Sequence, residues 1–198
     1  QQKTLDVIGR KHTVEEIKEA YALARKTGFD NINMDIIAGL PGEDISDMED
    51  TLAQIAQMHP DSLTVHSLAI KRAARMEMED LNRDAKETHE ILSGMIERAA
   101  KAAKEMDLFP YYLYRQKNMK GNFENVGYAK VDKAGIYNIL IMEEKQPIIA
   151  LGAGGSSKLV FDHGQRIERV ENVKDVSNYI SRIDEMIERK RTAIATWL

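Results

Sequence analysis

Apolar residues recur at helical spacing near the start of the chain, where Val14, Ile17, Tyr21 and Ala24 fall on one stripe. Thr13 and Glu16 are spaced for a capping box and Gly28 suits a C-terminal stop, so a helix is predicted from Thr13 to Lys26. From 31 to 39 the pattern changes to the run Asn-Ile-Asn-Met-Asp-Ile-Ile-Ala-Gly. It predicts a buried strand that feeds the tight turn Leu40-Pro41-Gly42. A second helix is expected from Asp44 to Met58, with Asp44 as N-cap and Ile45, Met48, Leu52 and Ile55 facing inward. His59-Pro60 ends it, and Ser62 to Ala69 predicts a second buried strand. Helix, strand, helix, strand with short loops implies parallel strands joined by crossover helices.

The rhythm then changes. Residues 70–82 read as a charged connection, and Asp84 to Met106 as a long helix with Ile91, Leu92, Met95, Ala99 and Ala103 on its inner side. Three short strands are expected at 109–115, 136–142 and 147–151. Between the first two lies a polar loop, Asn118 to Ala134, of the kind that covers a site. Residues 157–161 and 165–171 fit a hairpin around Asp162-His163-Gly164, and Asn172 to about Lys190 a closing helix. Two β/α units cannot close a barrel, so they belong either to a small open sheet or to the last portion of a larger barrel. The chain opens on residues that already read as folded sequence, which favours the second option and a longer parent protein. The organisation expected is α/β: barrel units over 1–82, then an α+β region over 83–198.

The polar exceptions to the apolar pattern carry the candidate chemistry. Asn33 and Asp35 lie two apart on the strand and share one face. A carboxylate in such a strand is costly unless paired, so this face is expected to line a cavity that holds a polar ligand. In parallel α/β architectures ligands sit at the carboxyl ends of strands, where a carboxylate can accept two hydrogen bonds from a ribose diol. A structural Asp paired with a neighbouring Arg would satisfy the same pattern. Arg10, just before the first predicted helix, suits a bidentate grip on a carboxylate, or a solvated helix entry. His66 within its strand reads first as a hydrogen-bonded core residue. Lys71, Arg72 and Arg75 follow that strand and could meet substrate carboxylates, or form a solvated charge run. Gly152-Ala153-Gly154-Gly155 has neither the Walker Lys placement nor the GxGxxG form, and reads as a tight backbone passage. Tyr111 to Asn118 combines aromatic and basic residues in a way that fits half-buried strand positions or a planar ligand.

Composition narrows the class. Across 198 residues a net charge of −4 argues against a general nucleic-acid coat. No apolar run is long enough to span a membrane, no signal-peptide pattern opens the chain, and a cytoplasmic location is expected. There is no cysteine, so neither disulfides nor thiolate metal ligands come from these residues. The histidines lack metal-ligand spacing, and no metal site is suggested.

The run Asp35-Ile36-Ile37-Ala38-Gly39-Leu40-Pro41-Gly42, preceded by Ile8-Gly9-Arg10-Lys11-His12-Thr13, resembles the later part of the oxygen-independent coproporphyrinogen III oxidase (dehydrogenase) family. These are radical S-adenosylmethionine (SAM) enzymes. The stretches 62–72 and 111–130 are similar to a clostridial and bacillar branch of that family. The resemblance covers essentially the whole chain. It implies the C-terminal part of a partial (β/α)6 barrel, followed by an α+β extension. It also implies SAM and a [4Fe–4S] cluster in the parent protein, with the cluster's cysteine loop outside this chain. By position, Arg10 corresponds to the Arg that reaches the SAM carboxylate and Asp35 to the residue on the ribose hydroxyls. Ile37 and Ala69 correspond to contacts with the adenosyl portion. Lys71, Arg72 and Arg115 are candidates for substrate propionates. The implied activity is oxidative decarboxylation of coproporphyrinogen III to protoporphyrinogen IX, with a porphyrinogen substrate and an electron donor as partners. A haem-binding chaperone on the same scaffold, or a non-catalytic interaction module, are the alternatives. Where the main branch carries Tyr-Glu-Ile-Ser-Asn-Phe-Ala, this chain has Phe123-Glu124-Asn125-Val126-Gly127-Tyr128-Ala129. The chain alone is expected to be inactive and to expose a strand edge open to pairing with another copy.

Overall fold

The computed structural model describes residues 1–68, 85–114 and 123–197. They form two compact units, Gln1–Gly135 and Ile136–Leu198. The boundary expected at 82/83 lies outside the described residues.

In the first unit, a short helix α1 (Gln2–Val7) precedes α2 (Val14–Lys26). The predicted capping box is present: Thr13 Oγ1 accepts from the Glu16 N–H, and Glu16 Oε2 accepts from the Thr13 N–H at 2.7 Å. Strand β1 (Asn33–Ala38) leads through the Gly-Leu-Pro-Gly turn to α3 (Ile45–Met58), and β2 (Ser62–Ser67) follows. Gly39 takes φ +85°, a backbone conformation that favours glycine, and a side chain there would press on Leu92. Asp44 caps α3 and forms a second reciprocal box with Asp47. The long helix α4 (Ala85–Glu105) is followed by β3 (Phe109–Tyr114) and β4 (Asn125–Ala129).

The four strands make one sheet in the order β1-β2-β4-β3. Strands β1 and β2 are parallel, as the crossover through α3 requires; β4 runs antiparallel to β2, and β3 antiparallel to β4. One face of the sheet is closed. Ile36, Ala38, Leu63 and Val65 pack there against Met48, Leu52 and Ile55 of α3 and Leu92, Met95, Ala99 and Ala103 of α4. The other face carries Asn33, Asp35, Thr64, Gly127 and Tyr112. The reading of β1 as buried on both sides is corrected: only alternate residues from Ile36 onward are buried, and the Asp35 side chain is 61% exposed.

The second unit holds α5 (Ile136–Met142), the antiparallel hairpin β5 (Ser156–Phe161) and β6 (Arg166–Glu171), then α6 (Val176–Ser181) and α7 (Ile183–Trp197). Leu159 and Met186 are its buried centre, and Trp197 Nε1 donates to the Val160 carbonyl at 2.7 Å. Four expectations are corrected. Residues 136–142 are a helix rather than a strand; Ile136, Ile139 and Leu140 repeat at helical spacing, and no partner strand pairs with them. Residues 147–151 contribute one isolated bridge, Ile148 with Lys158, and no strand. The expected loop 118–134 contains β4. The closing helix breaks at Arg182, where α6 ends and α7 begins, and runs on to Trp197.

The glycine-rich segment 152–155 is held by its own unit. Tyr179 Oη accepts from the Gly152 N–H, Asn172 Nδ2 donates to the Gly152 carbonyl, and the N–H groups of Gly154 and Gly155 bond to Val173 and Gly152. With those amides engaged, the loop has no array of free donors for a phosphate.

Thr13→Ala is expected to destabilise the protein by about 1 kcal/mol, through loss of the α2 cap. Thermal unfolding of the variant beside Glu16→Gln, which keeps the Thr13 half of the box, checks it.

Candidate functional site

The carboxyl ends of β1 and β2, with the segment before α2, enclose a cleft of about 600 Å³. Arg10 and His12 line it from the segment before α2, Asp35 and Ile37 from β1, and Glu43 from the turn before α3. His66, Ser67 and Leu68 line it from β2 and just beyond. Arg10, Asp35 and Ile37, all singled out from the sequence, thus share one cavity. Ala69, Lys71, Arg72 and Arg115 lie outside the described residues.

Asp35 is built into a polar network. Asn33 Nδ2 donates to its Oδ1 at 2.6 Å, and His66 Nε2 lies 3.9 Å from its Oδ2. Asn33 in turn accepts from Thr64 Oγ1 at 3.2 Å. The His66 contact chiefly, with help from Thr64 and Asn33 and against partial burial, holds the Asp35 carboxyl below its usual range. The group is therefore an anion at neutral pH that still has an oxygen open to the cleft, as a diol-binding carboxylate needs. Its partner is a histidine rather than an Arg. That pairing depends on the register that sets Ile37 beside His66, which no local pattern encodes.

Arg10 follows the end of α1, where its N–H donates to the Leu5 carbonyl at 2.8 Å. Its guanidinium has no carboxylate partner among the described residues, so it is open to an anionic group of a ligand. Ile37 supplies an apolar wall on the same strand face as Asp35.

Two further residues, Glu43 and Ser67, line the cleft. Burial pushes the Glu43 carboxyl above its usual range, although the Thr4 hydroxyl donates to Oε1 at 2.6 Å. The spacing from Thr4 to Glu43 is too long for any local signal. Ser67 is buried, its N–H donates to Asn125 Oδ1 at 3.0 Å, and its Oγ has no hydrogen-bond partner. A buried hydroxyl left unsatisfied at the wall of a cleft is a donor available to a bound molecule.

Known proteins resemble this chain in sequence and in fold. A model of the radical SAM superfamily matches residues 1–55. The oxygen-independent coproporphyrinogen-III oxidase-like protein HemZ of Bacillus subtilis is 44% identical over 188 residues, which is 95% of this chain and 37% of that protein. The haem chaperone HemW of the same organism is 30% identical over 67 residues, 34% of this chain and 18% of HemW. The solved structure of coproporphyrinogen III oxidase (HemN) from Escherichia coli, described as a radical SAM enzyme, superposes with a TM-score of 0.66 at 17% identity. That match covers 93% of this chain and 41% of HemN, and shows a shared fold. The chain thus spans less than half the length of these relatives.

Proposed function

Because the chain belongs to the coproporphyrinogen-oxidase-like radical SAM family, we propose that its cleft receives the adenosyl and carboxylate ends of SAM. Asp35 accepts from the ribose diol, Arg10 grips the carboxylate of the methionyl end, and Ile37 packs on the adenine. The observation that carries this is the joint placement of an open carboxylate, an open guanidinium and an apolar wall in one cavity. The residues present fit that nucleoside portion. The chain has no cysteine, so the thiolates of a [4Fe–4S] cluster are not among them. Bound beside such a cluster and reduced by one electron through it, SAM would supply a 5′-deoxyadenosyl radical able to take a hydrogen atom. What this chain contributes is grip and orientation at Asp35 and Arg10, and a wall of Ile8, Ile37 and Leu40 that excludes water.

For the whole protein we take the reaction to be oxidative decarboxylation of coproporphyrinogen III toward protoporphyrinogen IX, an oxidoreductase activity in porphyrin biosynthesis. Lys71, Arg72 and Arg115 remain the candidates for propionate contacts. The similarity to HemW supports a second reading, a haem-binding chaperone without turnover. Incubating the natural full-length protein, cluster reconstituted, with SAM, reductant and coproporphyrinogen III separates the two. Appearance of protoporphyrinogen IX is expected. Stoichiometric haem binding with no decarboxylation would instead assign the chaperone role.

A further inference from the structure

The turn that follows β1 ends on a carboxylate withdrawn from solvent. Leu40-Pro41-Gly42-Glu43 closes on itself, with the Glu43 N–H donating to the Leu40 carbonyl at 3.2 Å. Pro41 stands second and Gly42 third at φ +76°, the form of a type II turn. The next residue, Asp44, caps α3. Glu43 is thus fixed from both sides, and it is only 8% exposed. Its Oε1 accepts from the Thr4 hydroxyl at 2.6 Å, and Thr4 is the one buried residue of α1. Lys3 and Gln1 add outer ties to α3. Lys3 Nζ, largely exposed, lies 2.5 Å from Asp47 Oδ1, and Gln1 Nε2 donates to Asp50 Oδ2 at 3.2 Å. Contacts shared with solvent in this way contribute little. The far end of α1 is fixed to Arg10. Gly9 takes φ +69° and its N–H donates to the Asp6 carbonyl at 3.1 Å, while the Arg10 N–H donates to the Leu5 carbonyl at 2.8 Å. These are the paired bonds of a Schellman stop, so the Arg10 backbone moves with α1 as one body. Thr4, Glu43 and Arg10 line the same cleft.

We propose that Thr4 and Glu43 are positioning residues for Arg10: their buried hydrogen bond docks α1 on the turn after β1, and the Schellman stop carries that placement to the guanidinium. The Leu-Pro-Gly turn then has a task besides joining β1 to α3, which is to present Glu43 to α1. Burial, which pushes the Glu43 carboxyl above its usual range, adds to the importance of Thr4, since a carboxylate withdrawn from water loses more when a donor is removed. Asp35 and Ile37 are set by β1, so the latch acts on the end of a ligand that Arg10 holds and spares the end that β1 holds. The effect on ligands rests on the reading of Arg10 as the grip on a carboxylate; the docking of α1 is a property of the protein without ligand.

The test uses the natural full-length protein as wild type, Thr4→Val, Thr4→Ser and Arg10→Ala. Calorimetry measures S-adenosylhomocysteine, which carries the carboxylate, and 5′-deoxyadenosine, which lacks the methionyl end. Amide hydrogen exchange without ligand follows residues 5–10. Thr4→Val keeps the shape and removes the donor. It is expected to speed exchange at Gly9 and Arg10 and to weaken S-adenosylhomocysteine about tenfold, with 5′-deoxyadenosine unchanged. Thr4→Ser restores the hydroxyl and is expected to match the wild type in all three measurements. Arg10→Ala is expected to weaken S-adenosylhomocysteine at least as much as Thr4→Val does. Unchanged exchange in Thr4→Val overturns the proposal. An equal loss of both ligands in that variant also overturns it, because general damage to the cleft would account for the result. Faster exchange in Thr4→Val, with S-adenosylhomocysteine indifferent to Arg10→Ala, upholds the docking of α1 and defeats the carboxylate reading of Arg10 instead.

Discussion

Asp61→Ala is expected to destabilise the first unit by about 3 kcal/mol, the scale of breaking a buried charge pair from one side. Asp61 is only 8% exposed and sits where three elements meet. Its Oδ2 lies 2.6 Å from Arg25 Nη1 of α2 and accepts from the Ile32 N–H at 2.9 Å. Its Oδ1 faces Lys130 Nζ, just past β4, at 3.3 Å. The backbone repeats the pattern, with the Asp61 N–H on the Ile32 carbonyl and the Lys130 N–H on the Asp61 carbonyl. One carboxylate thus ties the entry of β1, the entry of β2 and the exit of β4 to the second helix. Alanine leaves a buried N–H and two cations without their acceptor. Burial by itself pushes the Asp61 carboxyl up; the Ile32 N–H, Arg25 and Lys130 together outweigh it and leave the group below its ordinary range. The sign of the pH effect follows. A depressed folded-state pKa means the unfolded chain binds the proton more readily, so the contribution is complete above the unfolded value near 4. It is lost as the pH falls through the lower folded value. Urea unfolding at neutral and acid pH checks both points. Asp61→Asn is expected to show a flatter acid limb than the wild type. Equal unfolding midpoints for Asp61→Ala and the wild type at neutral pH would remove the carboxylate from this role.

What the sequence disclosed and what it hid divide along the range of the interactions. The helices α2 and α3 are encoded locally: a Thr or Asp cap, a carboxylate three residues on, and an apolar stripe, all within one turn or two. Asp35 stood out for the same reason, as a charge in an otherwise apolar run. The strand β4 was invisible because its open-face residues are selected by their neighbours across the sheet rather than by strand propensity. Gly127 and Ala129 are small there, Gly127 because Tyr112 lies over it. The opposite error occurred at 136–142, whose β-branched and aromatic content suggested a strand. Ile136 and Tyr137 are largely exposed and the segment coils as a helix, since nothing pairs with it. The face of β1 shows the limit of reading burial from composition. Apolar residues predicted a strand covered on both sides, but the helices α3 and α4 cover one side only. The partner of Asp35, His66, was singled out for itself and not for the pair, because parallel register is fixed by the crossover and the core rather than by any motif.

Asp35→Ala is expected to weaken binding of a nucleoside with an intact ribose diol roughly 100-fold in the natural full-length protein, the combined loss of two charge-assisted hydrogen bonds. The comparison that isolates the carboxylate is between 5′-deoxyadenosine and its 2′,3′-dideoxy analogue. Wild-type protein is expected to prefer the diol by that factor, and Asp35→Ala to bind both equally and weakly. Asp35→Asn retains one acceptor oxygen and the shape but not the charge, and falls between. Because His66 foremost, then Thr64 and Asn33, keep Asp35 ionised below the ordinary carboxylate range, the diol preference is expected to stay level from neutral pH down through mild acid. It then declines only as the carboxylate itself takes up a proton. A preference for the diol that survives in Asp35→Ala would place the ribose elsewhere in the cleft. The exposure of Asp35 is what makes the experiment decisive: a carboxylate that holds up no core can be removed without unfolding the sheet, so a lost diol preference reports on the ligand.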